Sequence, residues 1–253
     1  MEFRGDFHMH STYSDGRADI TEMVEAARVK GLEAIAITDH GPNNVGSGVR
    51  RSQIFLKIKE ELDILNDEYS DIKLFSGCEA DIVGLNGEID VPPVIYHELD
   101  LLIVGLHPLA RPDDLRDLWA LNGRNQAARV SKGARQKVIN TNTKTLIAAM
   151  EKNPVDIISH PGLGMPINVG EVARACVKHE VFYEINCGHS FPALEDVLEA
   201  HAQGVDFIVD SDAHFTRSVG RLEYGSNLLE RALVPEERVV NVCSEGKQLP
   251  WEK

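Results

Sequence analysis

The sequence predicts an α/β protein whose parallel strands close into a barrel. Short runs rich in valine, isoleucine, leucine and phenylalanine alternate with amphipathic helical runs along the chain. Such an alternation is typical of a parallel sheet covered by helices. The chain has 253 residues, which suits one large α/β domain, and no low-complexity linker or change of composition divides it. We therefore expect a single domain over residues 1–253.

Seven runs have the composition of β-strands and are bounded by turn residues. They are Phe3–His10, Ala34–Thr38, Leu74–Ala80, Leu101–Leu106, Val155–Ser159, Phe182–Asn186 and Phe207–Asp210. Because strands alternate with helices in a chain of this size, closure of the sheet into a barrel is the expected arrangement.

Helical runs lie between the predicted strands. The first, Ile20–Lys30, places apolar residues at helical spacing and is followed by Gly31, a common stop signal. The others are Arg51–Tyr69, Thr143–Lys152, Val169–His179, Leu194–Gln203 and Leu222–Leu233. Their apolar faces are expected to pack against the sheet.

Residues 111–137 depart from this alternation, because they form a long polar and basic stretch in an acidic protein. This basic segment includes Arg124, Arg129, Lys132, Arg135 and Lys137. Two interpretations remain open at this point. The segment is either a solvated helix or loop on the surface, or a lid that supplies cations to a phosphate.

The balance of charges limits the classes of partner. The formal net charge is −14, from 40 acidic and 26 basic residues. This balance argues against a general binder of nucleic acids or membrane surfaces, since both need a positive face. It leaves room for a small anionic substrate, because bound cations reverse the sign of a site locally. We expect no membrane partner and no stable nucleic-acid partner.

The cysteines and the N-terminal sequence indicate a cytoplasmic protein. The four cysteines are scattered without a CxxC pair, which favours reduced thiols. The first residues contain no apolar stretch of the kind found in signal peptides. The longest apolar runs are too short to span a bilayer.

Potential metal ligands follow most of the predicted strands. His8 and His10 alternate at the end of the first strand, so both imidazoles point to one face. Asp212 and His214 have the same spacing after the seventh strand, and Asp15 lies on the loop after the first. The second to fifth strands end near His40, Glu79, His107 and His160 respectively.

These side chains are expected to converge at one rim, because the carboxyl ends of the strands of an α/β barrel face a common mouth. A single histidine at a strand end is more often a capped or exposed residue than a ligand. A whole set of strands ending in ligand types is a stronger signal. Mixed imidazole and carboxylate ligation suits zinc, manganese or iron better than calcium or magnesium. The set is too large for one ion and suits two or three.

Six motifs in this order resemble those of the PHP (polymerase and histidinol phosphatase) superfamily: HMHSTYSDG, ITDHG, GCEAD, GLHP, SHPG and DSDAH. They extend from Asp6 to His214. The superfamily includes histidinol-phosphate phosphatases, YcdX-like phosphoesterases and domains of bacterial DNA polymerases. The resemblance implies a distorted (β/α)7 barrel with a dinuclear or trinuclear metal centre, in a stand-alone metal-dependent phosphoesterase.

The resemblance also implies how the ligands are divided. One ion would be held by His8, His10, Glu79 and Asp212. Glu79 would bridge to a second ion, which His107 and His160 also bind. A third ion would be held by Asp15, His40 and His214. Some relatives have histidine at the position of Asp15, which leaves the occupancy of the third site open. Catalysis is expected to depend above all on Glu79 and Asp212.

Three further residues are candidates for binding substrate. Arg17 and Arg217 flank metal motifs and either hold phosphate bidentately or are solvated charges. Asn186 ends the sixth predicted strand and either bonds substrate or orders a ligand. His189 follows it closely enough to reach the mouth, although a structural role is favoured.

The favoured function is hydrolysis of a small phosphomonoester, such as histidinol phosphate, a nucleotide or a sugar phosphate. A carboxylate-bridged pair of ions would make hydroxide available near neutral pH for in-line attack on phosphorus. The alternatives are a phosphodiesterase or 3′-5′ exonuclease of PHP type, an amidohydrolase-like enzyme, and a non-catalytic, metal-stabilised scaffold.

Overall fold

The computed structural model describes residues 1–112, 114–128, 132–243 and 248–251, and these form a nearly closed parallel barrel. Each strand pairs in parallel with the next along the chain. The seven strands are β1 (Gly5–Asp6), β2 (Ala34–Ile37), β3 (Lys73–Asp81), β4 (Leu101–Gly105), β5 (Ile157–Ile158), β6 (Phe182–Asn186) and β7 (Phe207–Asp210). The predicted fold class is therefore confirmed.

The barrel is closed by residues that follow its first and last strands. Met9 and Ala213 form a parallel bridge. The His10 N–H donates to the Ala213 carbonyl at 2.9 Å, and the Ala213 N–H donates to the His8 carbonyl at 3.3 Å. The main chain on either side of the bridge carries predicted ligands, so closure and the site share the same residues.

Helices cover the outside of the sheet. They are α1 (Ile20–Val29), α2 (Ile54–Glu68), α3 (Pro93–Tyr96), α4 (Leu115–Leu118), a π-helical turn (Trp119–Gly123), α5 (Arg124–Ala128), α6 (Lys132–Lys152), α7 (Val169–His179), α8 (Leu194–Ala202) and α9 (Glu223–Arg231). Asp19 and Glu22 form a capping box at the start of α1, which explains why that helix begins where the apolar spacing does. No described helix is long and apolar enough to cross a bilayer.

Most element bounds differ from the predictions by a few residues, and two elements differ by more. The helix predicted from Thr143 begins at Lys132, because the polar first half of α6 contributes few apolar side chains to a periodic pattern. The strand predicted over Phe3–His10 pairs regularly only at Gly5–Asp6, because its second half leaves the ladder to join the closing bridge.

The described part of the basic segment is helical. Arg124 is exposed on α5, and Arg135 and Lys137 are exposed on α6. Arg129 lies outside the described residues, as does residue 113, and the side chain of Lys132 is not described. Arg124, Arg135 and Lys137 fit the solvated-helix interpretation. The lid interpretation stays a prediction.

The amino-terminal end of the barrel is filled by aromatic side chains. Trp251 is 7% exposed and packs against Phe7, with ring centroids 4.8 Å apart. Its ring centroid also lies 6.3 Å from that of Phe75 and 6.1 Å from that of Phe182. Its indole N–H donates to Asp156 Oδ1 at 3.1 Å. This aromatic plug closes the barrel at the end opposite to the predicted ligands.

We expect Trp251→Ala to lower the free energy of unfolding by about 3 kcal/mol, because it opens a cavity among buried rings. Urea denaturation measures this loss. Trp119→Ala is the matched control, since Trp119 is 60% exposed, and its effect should stay within about 0.5 kcal/mol. Equal losses in the two variants would contradict the role of the plug.

Candidate metal centre

The side chains predicted as ligands form one continuous cluster at the carboxyl end of the barrel. They come from the main chain after β1, β2, β4, β5 and β7, from β3 itself and from the loop before α1. The cluster consists of His8, His10, Asp15, His40, Glu79, His107, His160, Asp212 and His214. Segments far apart in sequence therefore meet at one rim, as the strand-end pattern predicts.

The innermost group of the cluster is fully buried. His8 Nε2 lies 3.3 Å from Glu79 Oε2, and His10 Nε2 lies 3.1 Å from Asp212 Oδ1. His10 Nε2 is also 3.8 Å from Glu79 Oε2, and His8 Nε2 is 3.9 Å from Asp212 Oδ1. Two imidazoles and two carboxylates thus converge on one point.

A second group shares Glu79 with the first. His107 Nε2 and His160 Nε2 each lie 3.2 Å from Glu79 Oε1, and the two nitrogens are 3.1 Å apart. The two oxygens of Glu79 therefore face different histidines, with His107 and His160 beside Oε1 only. This is the arrangement that a carboxylate needs in order to bridge two ions.

A third group is more open to solvent. His214 Nε2 lies 3.2 Å from Asp15 Oδ1, and His40 Nε2 lies 4.0 Å from Asp15 Oδ2. The side chains of Asp15 and His214 are each 27% exposed, whereas those of His8 and Glu79 are fully buried. His40 also reaches the centre of the cluster, because its Nδ1 lies 2.7 Å from Glu79 Oε2.

The buried donor atoms of the cluster fit metal ions. Within the described residues, His8 Nε2, both ring nitrogens of His10 and both carboxylate oxygens of Glu79 make no hydrogen bond of acceptable geometry. Buried polar atoms in native proteins are almost always paired. Nitrogen and oxygen donors that converge without hydrogen bonds are what a cation site requires.

The pKa shifts of His10 and Glu79 fit ligation, whereas, against the effect of burial, neighbouring carboxylates raise the pKa of His8, His40, His107 and His214. Burial and the neighbouring His40 lower the pKa of His10 to about 3, which keeps its imidazole neutral. Burial alone would raise the pKa of Glu79, but His8, His107 and His40 hold it well below its usual value. A neutral imidazole and an ionised carboxylate are the forms that bind metal.

Acidic side chains behind the cluster fix the orientation of its histidines. Glu184 Oε1 lies 2.5 Å from His8 Nδ1. Glu184 Oε2 accepts from the backbone N–H of His160 at 2.5 Å. Asp81 contacts His107 Nδ1 in the same way. A histidine ligand commonly donates its other ring N–H to such an acceptor, which sets its tautomer.

The sequence analysis missed Glu184 and Asp81, although a signal was present. Each lies two residues from a residue that it did single out, since Glu184 precedes Asn186 on β6 and Asp81 follows Glu79 on β3. Because side chains two apart on a strand share a face, both carboxylates point toward the site.

Two of the predicted ligands have backbone conformations that residues other than glycine rarely adopt. The φ angles of His160 and Asp212 are +27° and +51°, in or near the left-handed region. Such conformations cost free energy and persist where surrounding contacts hold them. For Asp212 the contact is the Asn186 amide, which donates to Asp212 Oδ2 at 3.1 Å.

The side chains of Asn186 and His189 both contact the Asp212 carboxylate. Asn186 is fully buried, which fits the alternative in which it orders a ligand. His189 lines the mouth, and its Nε2 lies 3.3 Å from Asp212 Oδ2. It therefore reaches the site, although the sequence favoured a structural role.

The structure does not bring the two candidate arginines to the cluster. Arg17 is exposed, and the guanidinium of Arg217 lies over the Phe215 ring, 4.3 Å from its centroid. Among the described residues that line the mouth, neither arginine is present. Phosphate binding by Arg17 and Arg217 stays an untested prediction.

The cluster opens into a cavity of about 440 Å³, which lies within the range of small-molecule sites. The cavity is lined by predicted ligands and by neutral or apolar residues of the loops that carry them. The lining residues are Asp15, His40, Asn44, Ser47, His107, Pro108, Leu109, His160, Leu163, Gly164, His189, Asp212 and His214.

Comparisons with known proteins agree with this geometry. Residues 6–218 match the family model described as the PHP domain. A protein of Citrobacter koseri (strain ATCC BAA-895 / CDC 4225-83 / SGSC4696), named "Probable phosphatase", is 31% identical over 255 residues, which cover 96% of this chain and 91% of that protein.

Solved structures show a likeness of fold. Histidinol phosphate phosphatase from Lactococcus lactis subsp. lactis Il1403, complexed with zinc, L-histidinol and phosphate, has a TM-score of 0.60 at 14% identity. The match covers 92% of this chain and 94% of that one. A structure from Listeria monocytogenes has a TM-score of 0.62 at 14% identity, covering 88% of this chain and 99% of that one.

We expect Glu184→Gln to weaken binding of Zn²⁺, used as the probe ion, by about 10- to 100-fold, because His8 loses its charged acceptor. Competition with a chromophoric chelator measures the affinity. Glu60→Gln, at an exposed position of α2, is the control and should bind as the wild type does. An unchanged affinity in Glu184→Gln would remove Glu184 from the support of the cluster.

Proposed function

The chain belongs to the PHP domain family, and from that membership we propose that this metal-dependent phosphoesterase hydrolyses a small phosphomonoester. Histidinol phosphate, a nucleotide and a sugar phosphate are the candidate substrates. The observation that carries the proposal is the buried carboxylate of Glu79, whose two oxygens face separate groups of histidines beside the cavity. The relative named as a phosphatase supports the same reaction type.

We further propose that the cluster binds two or three divalent ions of zinc, manganese or iron. The division of ligands follows the three groups. The first is His8, His10, Glu79 and Asp212, the second Glu79, His107 and His160, and the third Asp15, His40 and His214. When bound, such ions act as Lewis acids on phosphoryl oxygens and lower the pKa of water toward neutrality.

The protein's own residues prepare the site for this chemistry. Glu184 and Asp81 hold the rings of His8 and His107, so that their Nε2 atoms face Glu79. The amide of Asn186 restrains the Asp212 carboxylate on the side away from His10. A site whose donors are already oriented needs little reorganisation during the reaction.

The cavity favours a monoester over a long polymeric diester. Its volume of about 440 Å³ suits a phosphate with a compact leaving group. The net charge of −14 would repel extended nucleic acid. A diesterase remains the alternative that the assay below separates.

We expect the metal-loaded protein to hydrolyse phenyl phosphate, and a chelator to abolish the activity. His10→Ala or Asp212→Ala should lower kcat/KM by more than about 100-fold, because each removes a donor from the buried group. Steady-state kinetics measures the loss, and circular dichroism checks the fold. Asp67→Ala, at an exposed position of α2, is the control.

Two outcomes would contradict the monoesterase proposal. Turnover of bis(4-nitrophenyl) phosphate without turnover of phenyl phosphate would assign a diesterase instead. A protein shown by elemental analysis to hold its ions, but inactive on both esters, would be a scaffold.

We expect Asp15→Ala to lower the metal content by one ion while the other ions stay bound. Asp15 and His214 are the more exposed ligands, so the third group should release its ion first when a donor is lost. Inductively coupled plasma mass spectrometry measures the stoichiometry, again with Asp67→Ala as the control. An unchanged stoichiometry would remove Asp15 from the ligand set.

A further inference from the structure

The uncharged part of the cavity lining comes from three loops, which follow β2, β4 and β5. The first two loops are paired with each other. Asn44 and Ala110 form an antiparallel bridge, and the Val45 N–H donates to the Leu109 carbonyl at 3.3 Å. Their backbones therefore form a fixed ledge beside the cluster.

The loop after β5 packs against this ledge. Gly164 has a φ of +66°, and a β-carbon there would lie 3.3 Å from Cγ of Pro108. The same loop is tied to helix α6, because the Asn142 amide donates to the Pro166 carbonyl at 3.0 Å. We call the resulting surface, formed by Pro108, Leu109 and Leu163, the apolar wall.

The apolar wall itself carries no charged side chain. Its three side chains are hydrocarbon, and the polar residues beside it, Asn44 and Ser47, are neutral. A charged group packed against this surface would lose hydration without gaining a partner, which is unfavourable. An apolar or aromatic face would instead gain from leaving water.

The carboxylates that line the cavity are already engaged with histidines. Asp15 Oδ1 lies 3.2 Å from His214 Nε2, and Asp212 Oδ1 lies 3.1 Å from His10 Nε2. Both carboxylates belong to the proposed ligand groups. An ammonium group on a leaving group would therefore compete with the metal ligands rather than find a carboxylate of its own.

We propose that the apolar wall binds the leaving group and selects phosphomonoesters whose leaving group is uncharged and presents an apolar or aromatic face. The inference rests on the proposed monoesterase function and specifies its substrate class: of the three candidates it excludes histidinol phosphate, whose leaving group carries an ammonium group. The phosphate lies toward the ligand cluster, and the alcohol portion lies between Leu109 and Leu163.

Three esters with the same benzyl phosphate core and different para substituents test this selection: benzyl phosphate (hydrogen), 4-carboxybenzyl phosphate (anionic) and 4-(aminomethyl)benzyl phosphate (cationic). The methylene group separates the charge from the scissile bond. For the metal-loaded wild type, kcat/KM for benzyl phosphate should exceed that for either charged ester by at least about tenfold, through the lost hydration of the charge.

Variants of the apolar wall separate selection from intrinsic reactivity. Leu163→Lys should raise the ratio of kcat/KM for the carboxylated ester to that for the aminomethyl ester by about tenfold or more relative to wild type. Differences in leaving-group reactivity cancel in this comparison. Leu109→Lys should act in the same direction, and it changes a side chain that is 62% exposed and so tolerates lysine.

Leu233→Lys is the matched control, because it adds the same charge at a position outside the cavity lining. Leu233 is 84% exposed. The ratio in this variant should equal that of the wild type. Equal kcat/KM for the three esters, together with an unchanged ratio in both wall variants, would overturn the inference while leaving the monoesterase function standing. Failure to hydrolyse both phenyl phosphate and benzyl phosphate would overturn the two together.

Discussion

One buried carboxylate organises the functional end of this protein. Glu79 lies on β3 with no access to solvent, and its two oxygens face different histidines. An ionised group in such a position is unfavourable unless positive charge lies on both sides of it. The surrounding imidazoles meet part of this requirement, and bound cations would meet the rest. Glu184 and Asp81 support this arrangement, because they orient the rings of His8 and His107 so that the other ring nitrogens face Glu79.

The same constraint links the site to the closure of the barrel. His8 and His10 lie on either side of Met9, and Asp212 and His214 lie on either side of Ala213. The bridge between Met9 and Ala213 brings these pairs together, and it also closes the sheet. A donor set spread over both edges of a sheet exists only after that sheet has closed. Ion binding should therefore contribute to the stability of the closed form.

Much of this arrangement was predictable from sequence, because it depends on local patterns. Strand composition, alternating ligands and the common direction of parallel strands place the cluster at one mouth. Glu184 and Asp81 were harder to identify, since a buried carboxylate near a strand end has no motif that separates support from ligation. The apolar wall was not predictable either. Leu109 and Leu163 come from different loops, and only the pairing of Asn44 with Ala110 and the fit of Gly164 against Pro108 bring those loops to one cavity.

The two ends of the barrel are completed by chain segments that are distant in sequence, which has a consequence for biosynthesis. The Phe7 N–H bonds to Asp210, 203 residues away, and the aromatic plug needs Trp251. Contacts of such long range form late in folding. A ribosome-bound chain that lacks β7 also lacks Asp212, one of the four innermost donors, so we expect that group to bind an ion only after translation has passed this strand. Under the proposed metal binding, the supply of ions at that stage, rather than during elongation, would decide which metals the site takes up.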